Sequence, residues 1–252
     1  MALPLPPGLT QAEVAFVAEM ELVTIVPRQR FESIHLLGGK TPALRPPHRA
    51  ELPLWLALLL KKQRRANIVC PPWLYPASLA TVIHRETKED PAAFSPPPPT
   101  PSRAHLSAPG LARRVAEHDA GMSAPFVPSC TADAPAGYLP YHWLEVAEAL
   151  LAHAGDDMPV AAGEIRSLLR DLVEVRAAKM RSSAATLEGL GGGLTLLRGV
   201  GSMELAESRG FVLEVVDGVR KIGASLEANR REVEEMRGEG GDDEGSDDDM
   251  GL

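Results

Sequence analysis

Glu51-Leu-Pro-Leu-Trp-Leu-Ala-Leu-Leu-Leu-Lys-Lys-Gln-Arg-Arg-Ala-Asn-Ile-Val-Cys-Pro-Pro-Trp73 decides how the chain is read, because a dense apolar run ends abruptly in four cations. Leu52 to Leu60 carries a single Pro near its front. A helix accepts Pro53 in its first turn, where the missing N–H would have no partner. Lys61, Lys62, Arg64 and Arg65 then fall in the last turn, opposite the partial negative charge of the terminal carbonyls. A helix that is apolar all round must be covered on every side, by its own domain or by another chain. The run is too short for a bilayer, which needs roughly 20 residues.

Toward the N-terminus, Thr10-Gln-Ala-Glu13 has the form of a capping box ahead of Val14, Phe16 and Val17, and predicts a short opening helix. Leu22 to Val26, stopped by Pro27, and Ser33 to Leu37, stopped by Gly38-Gly39, predict short strands. Thr41 to Arg49, with three prolines, reads as a linker into the Leu52 helix. Beyond Trp73 the pattern is helical. Ser78 to Lys88 predicts one helix, and Trp143, Leu144, Ala147, Leu150 and Leu151 give a second an apolar face. Ile165, Leu168, Leu169, Leu172, Val173 and Val175 repeat that spacing, with Arg166, Arg170, Glu174 and Arg181 away from it. A further stripe of Leu205, Val212, Val215, Val216, Val219, Ile222 and Leu226 predicts a helix beginning near Ser202.

Composition narrows the classes. The net charge of −8 is concentrated in Glu239, Asp242, Asp243, Glu244, Asp247, Asp248 and Asp249, so residues 1–237 carry only −1. The body is therefore neither a polyanion nor a strongly basic nucleic-acid binder. Residues 1–65 carry nine Lys/Arg against five Glu, so basic character is local. Residues 95–140 hold ten prolines and no sustained periodicity, which predicts disorder, with Leu111 to His118 as a transient helical turn. The acidic tail cannot bury enough apolar surface to offset the entropy of ordering. Cys70 and Cys130 are the only cysteines, and Cys130 lies in the Pro-rich stretch, so neither a disulfide framework nor a zinc site is expected. Met-Ala-Leu-Pro-Leu-Pro-Pro-Gly has the form of neither a signal nor a transit peptide, which leaves the cytosol or nucleus as the expected compartment.

Tempting chemistry is incomplete. Gly38-Gly39-Lys40-Thr41 ends like a phosphate loop, but Ile34 stands where that loop needs Gly, and Pro42 blocks the following helix. Gly191-Gly192-Gly193 reads as a link between helices. His142 and His153 belong to no metal-ligand motif, and Asp156-Asp157 reads as a turn and helix entry. No nucleophile, base and orienter assemble, so no catalytic residue, metal ligand or cofactor is expected. The Lys61, Lys62, Arg64 and Arg65 run has three open readings: a solvated helix end, an electrostatic docking patch for an acidic protein, or a phosphate contact. Thr100 before Pro101 and Ser246 before three Asp are candidate phosphosites, each adding about two negative charges.

Ala12-Glu-Val-Ala-Phe16, Glu21-Leu-Val-Thr-Ile-Val-Pro27, Leu36-Leu-Gly-Gly39, Glu51-Leu-Pro-Leu-Trp-Leu-Ala57, Lys61-Lys-Gln-Arg64, Asn67-Ile-Val69 with Pro71 and Trp73, and Glu164-Ile-Arg166 through Arg176-Ala-Ala-Lys179 together resemble the Psf two family of GINS complex subunits. The resemblance covers roughly residues 10–95 and 140–228. It implies an α+β two-domain subunit, mainly α, with a small N-terminal β-containing module and a dominant helical domain. The expected boundaries are 1–50 for the module, 51–94 with 140–232 for the helical domain, 95–139 for a disordered insertion, and 233–252 for the acidic disordered tail. It also implies a non-catalytic scaffold in the nucleus, part of a heterotetramer with Psf three, Sld five and Psf one. That assembly would serve the replicative helicase with the MCM hexamer and Cdc forty-five in DNA replication.

Under that reading Leu54, Trp55, Leu56, Leu58, Trp73, Ile165, Leu168, Leu169 and Leu172 are the expected partner-interface residues, and the isolated chain should aggregate. Three departures from the family pattern stand out: the insertion, Cys70 where a first proline of a Pro-Pro-x-Trp turn would stand, and the acidic tail. The insertion should loop out at little cost, since closure entropy rises only about 0.6 kcal/mol per doubling of loop length. The competing class is a nucleic-acid-binding accessory protein with Arg28, Arg30, Lys40, Arg45, Arg49 and the Lys61 cluster on phosphates. An enzyme is the third class, disfavoured by the missing constellation.

Overall fold

The computed structural model describes residues 8–37, 39–99, 127–189 and 198–239. Thr10 opens α1 (Gln11–Ala18). Its hydroxyl accepts from the Glu13 N–H at 3.3 Å, and the Glu13 carboxylate accepts from the Thr10 N–H at 2.7 Å, the reciprocal capping the sequence predicts. β1 (Leu22–Pro27) follows and becomes the centre of an antiparallel sheet, flanked by β4 (Ala50–Pro53) and β5 (Ala66–Ile68). Val23 lies opposite Leu52 and Ile25 opposite both Ala50 and Ile68, which gives the sheet a continuous apolar face. β2 (His35–Leu36) and β3 (Gly39–Lys40) form a separate two-residue ladder, shorter than the predicted strand over Ser33 to Leu37.

The deciding run differs from its expected form at both ends. Leu52 and Pro53 close β4, and the helix α2 is Leu54–Lys62. Pro53 cannot continue a ladder as a donor, so the strand ends there. No side chain caps α2. Its first N–H groups instead reach the α1–β1 turn: Leu54 donates to the Glu21 carbonyl at 2.8 Å and Trp55 to that of Glu19 at 3.2 Å. At the other end only Lys61 and Lys62 remain helical. Arg64 adopts φ 57°, its N–H donates to the Lys61 carbonyl, and the Arg65 N–H donates to Leu60. That is a Schellman turn with Arg at the position where Gly is favoured. It throws the chain directly into β5, a strand too short to display alternation in the sequence.

A 3₁₀ turn at Pro72–Leu74 buries Trp73 and leads into α3 (Pro76–His84), which starts on a proline and continues through a π-type turn, Arg85–Glu89. α4 (Trp143–His153), a 3₁₀ turn at Gly155–Asp157, α5 (Ala162–Gly189) and α6 (Ser202–Glu239) complete the described chain. Helix thus dominates over a small N-terminal sheet. α4 lies against α1 and α2, α3 against α5, and the start of α6 against α1. One apolar cluster runs through the whole, from Val23 and Ile25 of the sheet through Leu54 and Trp73 to Trp143, Ile165 and Leu172.

Three expected boundaries fail on this geometry. A division after residue 50 would cut β4, and β5 returns to the sheet after α2. The stretch read as a disordered insertion is packed at its C-terminal flank: Val127, Ser129, Cys130, Thr131, Ala134 and Leu139 are buried, and the Ala132 N–H donates to the Thr24 hydroxyl at 2.9 Å. The second face of β1 needs a cover, and this segment supplies it despite its prolines. Residues 233–239 likewise continue α6. Residues 100–126, with the expected Leu111 to His118 turn, and the Gly191–Gly193 link and the tail from residue 240 lie outside the described residues.

Leu172 is fully buried in this cluster. Leu172→Ala is expected to lower the stability of the chain by about 2–5 kcal/mol in urea denaturation. An unchanged midpoint would return Leu172 to the surface role first expected of it.

Candidate interaction surfaces

Three arrangements of charge and apolar surface stand out. The first is internal. Arg176 of α5 is fully buried, and its Nη1 donates to Glu86 Oε1 in the π-type turn. Its Nε donates to Glu204 Oε1 at 2.6 Å, and Nη2 donates to Glu204 Oε2 at 2.9 Å and to the Gly199 carbonyl at 2.6 Å. The guanidinium also lies 4.9 Å from the Phe94 ring centroid and 6.0 Å from that of Trp143. Burial pulls this group down, but its bonds to Glu204 and its pairing with both carboxylates outweigh that and hold it above the ordinary Arg value. One turn on, Lys179 donates to the carbonyls of Asp90 and Ala93 and pairs with Glu86 Oε2 at 3.4 Å. Glu86 also accepts the Ser95 N–H at 3.0 Å. Gly199 (φ 85°) passes so close to the Ser95 carbonyl that a Cβ would sit 2.1 Å from it. These bonds fix the start of α6 against α3, α4 and α5.

A second buried group joins the α1–β1 turn, the 127–139 segment and the start of α4. His142 Nδ1 lies 3.3 Å from Glu145 Oε1, and Nε2 lies 4.0 Å from Glu21 Oε1. Burial pushes the Glu21 carboxyl up to about 7; His142 pulls it down, Glu145 pushes it up further, and a hydrogen bond with Cys130 lowers it. Among the described residues no three His, Cys, Asp or Glu side chains are grouped to hold a metal ion, and no helix is long and apolar enough to cross a membrane.

The surface itself is where the expected site residues divide. Leu54, Leu56, Trp73, Ile165, Leu169 and Leu172 are sealed inside the chain's own core, so they are not the interface the sequence predicts. Trp55, Leu58 and Leu168 are half-buried against that core. Besides Leu9, Leu37, Leu59 and Tyr75, the exposed large apolar side chains among the described residues fall on two helices: Phe16, Val17 and Met20 on and just after α1, and Phe211, Leu213, Ile222 and Leu226 on α6. Phe211, Ile222 and Leu226 fall within about 60° of one another around the helix. Gln11 Nε2 donates to Glu207 Oε1 at 2.9 Å and ties the two helices together near this surface. A cavity of about 340 Å³ between α5 and α6, lined by Val173, Ala177, Met180 and Phe211, continues the apolar surface inward.

Of the expected docking cations, Lys61 is neutralised within the chain. Its Nζ lies 2.8 Å from both Asp156 and Asp157, whose turn also supplies Asp157 Oδ2 to the Ile68 N–H at 2.7 Å. Lys62, Arg64 and Arg65 are exposed. The candidate phosphosites Thr100 and Ser246 lie outside the described residues. Arg176 and Lys179 had a signal in the sequence: they continue the Ile165, Leu169, Leu172 stripe at helical spacing, so two cations occupy core positions.

A small antiparallel sheet packed into a larger helical body, with a long terminal helix extending from it, defines an α+β helical subunit with surplus apolar helix surface. Residues 10–69 match the family model of the PSF2 N-terminal domain, and residues 73–223 match that of the GINS complex protein helical bundle domain. The chain is 69% identical to the DNA replication complex GINS protein psf2 of Neurospora crassa and 66% identical to that of Gibberella zeae, in each case over the whole of both chains. It is 51% identical to the Aspergillus oryzae protein of the same name, over 99% of this chain and 98% of that one. The chain belongs to the Psf two (PSF2) family of GINS proteins.

Arg176→Met leaves Glu204 without its counter-charge and Glu86 with Lys179 alone, and a loss of about 3–5 kcal/mol is expected in urea denaturation. Glu21 has a raised folded-state value, so the native chain binds its proton more tightly than the unfolded chain, and its contribution falls as pH rises from about 4.5 to about 7. Glu21→Gln is therefore expected to raise the melting temperature at pH 8, with the gain shrinking toward pH 4.5. Melting curves across that range check the sign.

Proposed function

We propose that the chain is a non-catalytic scaffold subunit of a nuclear GINS heterotetramer with Psf three, Sld five and Psf one. Through that assembly it serves the replicative helicase, with the MCM hexamer and Cdc forty-five, in initiation and elongation of DNA replication. Family membership supports the assignment. The observation that carries the scaffold role is α6: its 38 residues extend about 57 Å, and from Leu213 to Arg231 most of the described side chains are exposed. An isolated helix of that length with bare apolar side chains on one face is poorly stabilised in water, because tertiary packing supplies most helical stability.

α1 and α6 together offer a surface on which neighbouring helices pack, with Phe16 and Met20 at one end and Ile222 and Leu226 at the other. Because the chain has a contiguous core of its own, association adds to a folded body instead of completing an unfolded one. A permanent interface of this kind buries above about 2,000 Å².

A tagged chain purified from nuclear extract is expected to bring down the three sister subunits in equal amounts. Phe16→Glu combined with Ile222→Glu should lose them while the chain's own stability in urea denaturation changes by less than about 0.5 kcal/mol, as surface substitutions do. A wild-type chain recovered as a lone monomer would sink the proposal.

A further inference from the structure

Cations from three separate segments converge near the end of β1. Arg28 follows the end of β1, and its N–H donates to the Arg65 carbonyl at 2.7 Å. Arg65 in turn lies over the Phe31 ring, 5.7 Å from its centroid. Phe31 is bridged through its backbone to Leu44, which brings Arg30 and Arg45 alongside. Lys62 and Arg64 come from the end of α2. Arg28, Lys61, Lys62 and Arg64 line an open cleft of about 400 Å³, closed on one side by Ala66 and Asp156. Lys61 already satisfies the two acids of the 155–157 turn, so the local carboxylates are occupied and Lys62 and Arg64 have no ion pair among the described residues.

Arg64 carries an independent signal. It holds the left-handed position of a Schellman turn, where Gly is favoured and an L side chain is strained. Gly would meet no strain at this position, so the Arg64 side chain, which opens into the cleft, is presented at a cost to the backbone.

We propose that this cleft is a docking site for an acidic polypeptide segment carrying clustered Asp or Glu carboxylates, with Arg28, Lys62 and Arg64 as its contacts. Paired arginines recognise planar carboxylates through forked hydrogen bonds, and cationic clusters are a recurring mode of acidic-motif recognition. Two features favour a peptide over a nucleic-acid strand. Arg65 lies over one face of the half-buried Phe31, so that face is not open for base stacking. Asp156 and Asp157 share the single charge of Lys61, so the rim keeps net negative character that a continuous phosphate backbone must pass, whereas a peptide can set a backbone N–H against the exposed Asp156.

Fluorescence anisotropy tests the proposal with a labelled peptide of sequence 240–252 of this chain as the acidic probe, against a single-stranded oligothymidylate of similar length. Both are titrated into the full chain and into a chain ending at Glu239, whose own acids cannot compete. The acidic peptide is expected to bind in a salt-sensitive way and more tightly than the oligonucleotide. Lys62→Glu with Arg64→Glu should weaken it by at least about tenfold. Arg64→Gly relieves the left-handed backbone, so it should raise the melting temperature and still weaken peptide binding, which separates a docking role from a folding role. Absence of peptide binding to both chains, affinity unchanged by charge reversal, or preference for the oligonucleotide would each overturn the assignment.

Discussion

A single guanidinium sets the arrangement of the helical body. Arg176 meets two carboxylates from distant parts of the chain, one carbonyl and two aromatic faces, and a planar five-donor fork is the side chain that can do this at once. Buried ion pairs are weak sources of net stability, because desolvation offsets the attraction. Their leverage lies in specificity: any arrangement that separates Glu86 or Glu204 from Arg176 strands a charge in the interior. The beginning of α6, the 198–201 turn and the end of α3 are thereby held to one relative position. The direction in which α6 leaves the body, and hence the apolar face it offers to neighbours, follows from that constraint.

The elements legible in the sequence are those whose causes are local. Thr10 and Glu13 cap α1 by themselves, and the three- and four-residue spacing of Trp143 to Leu151 and of Ile165 to Val173 is a property of single helices. The elements missed depend on partners far away in the chain. Leu52 is a strand residue because Val23 lies opposite it, and Cys130 is buried because the second face of β1 needs cover. Neither fact leaves a local trace.

Of the candidate site, the sequence marks which side chains are apolar and not which of them the chain itself covers. Apolar periodicity says that a face will be covered, and it does not say by what: Ile165 and Leu172 are covered by their own chain, while Phe16, two positions from the buried Val14, is not covered by it. Charge is subject to the same limit. Lys61 and Lys62 are neighbours in a run of cations, yet one is locked to Asp156 and Asp157 and the other faces solvent, a difference created entirely by a turn ninety-odd residues away.

Both thiols sit where reagents do not reach. Burial pushes Cys70 up to about 12, and Cys130, fully enclosed beside Glu21 and Glu145, is raised well above its ordinary value. Thiolate, the reactive form, is therefore scarce at both positions near neutral pH. A cysteine introduced on the solvent side of α6 would be the one nucleophile a maleimide finds, so dyes or spin labels can be attached to the protruding helix without first deleting the native sulfurs.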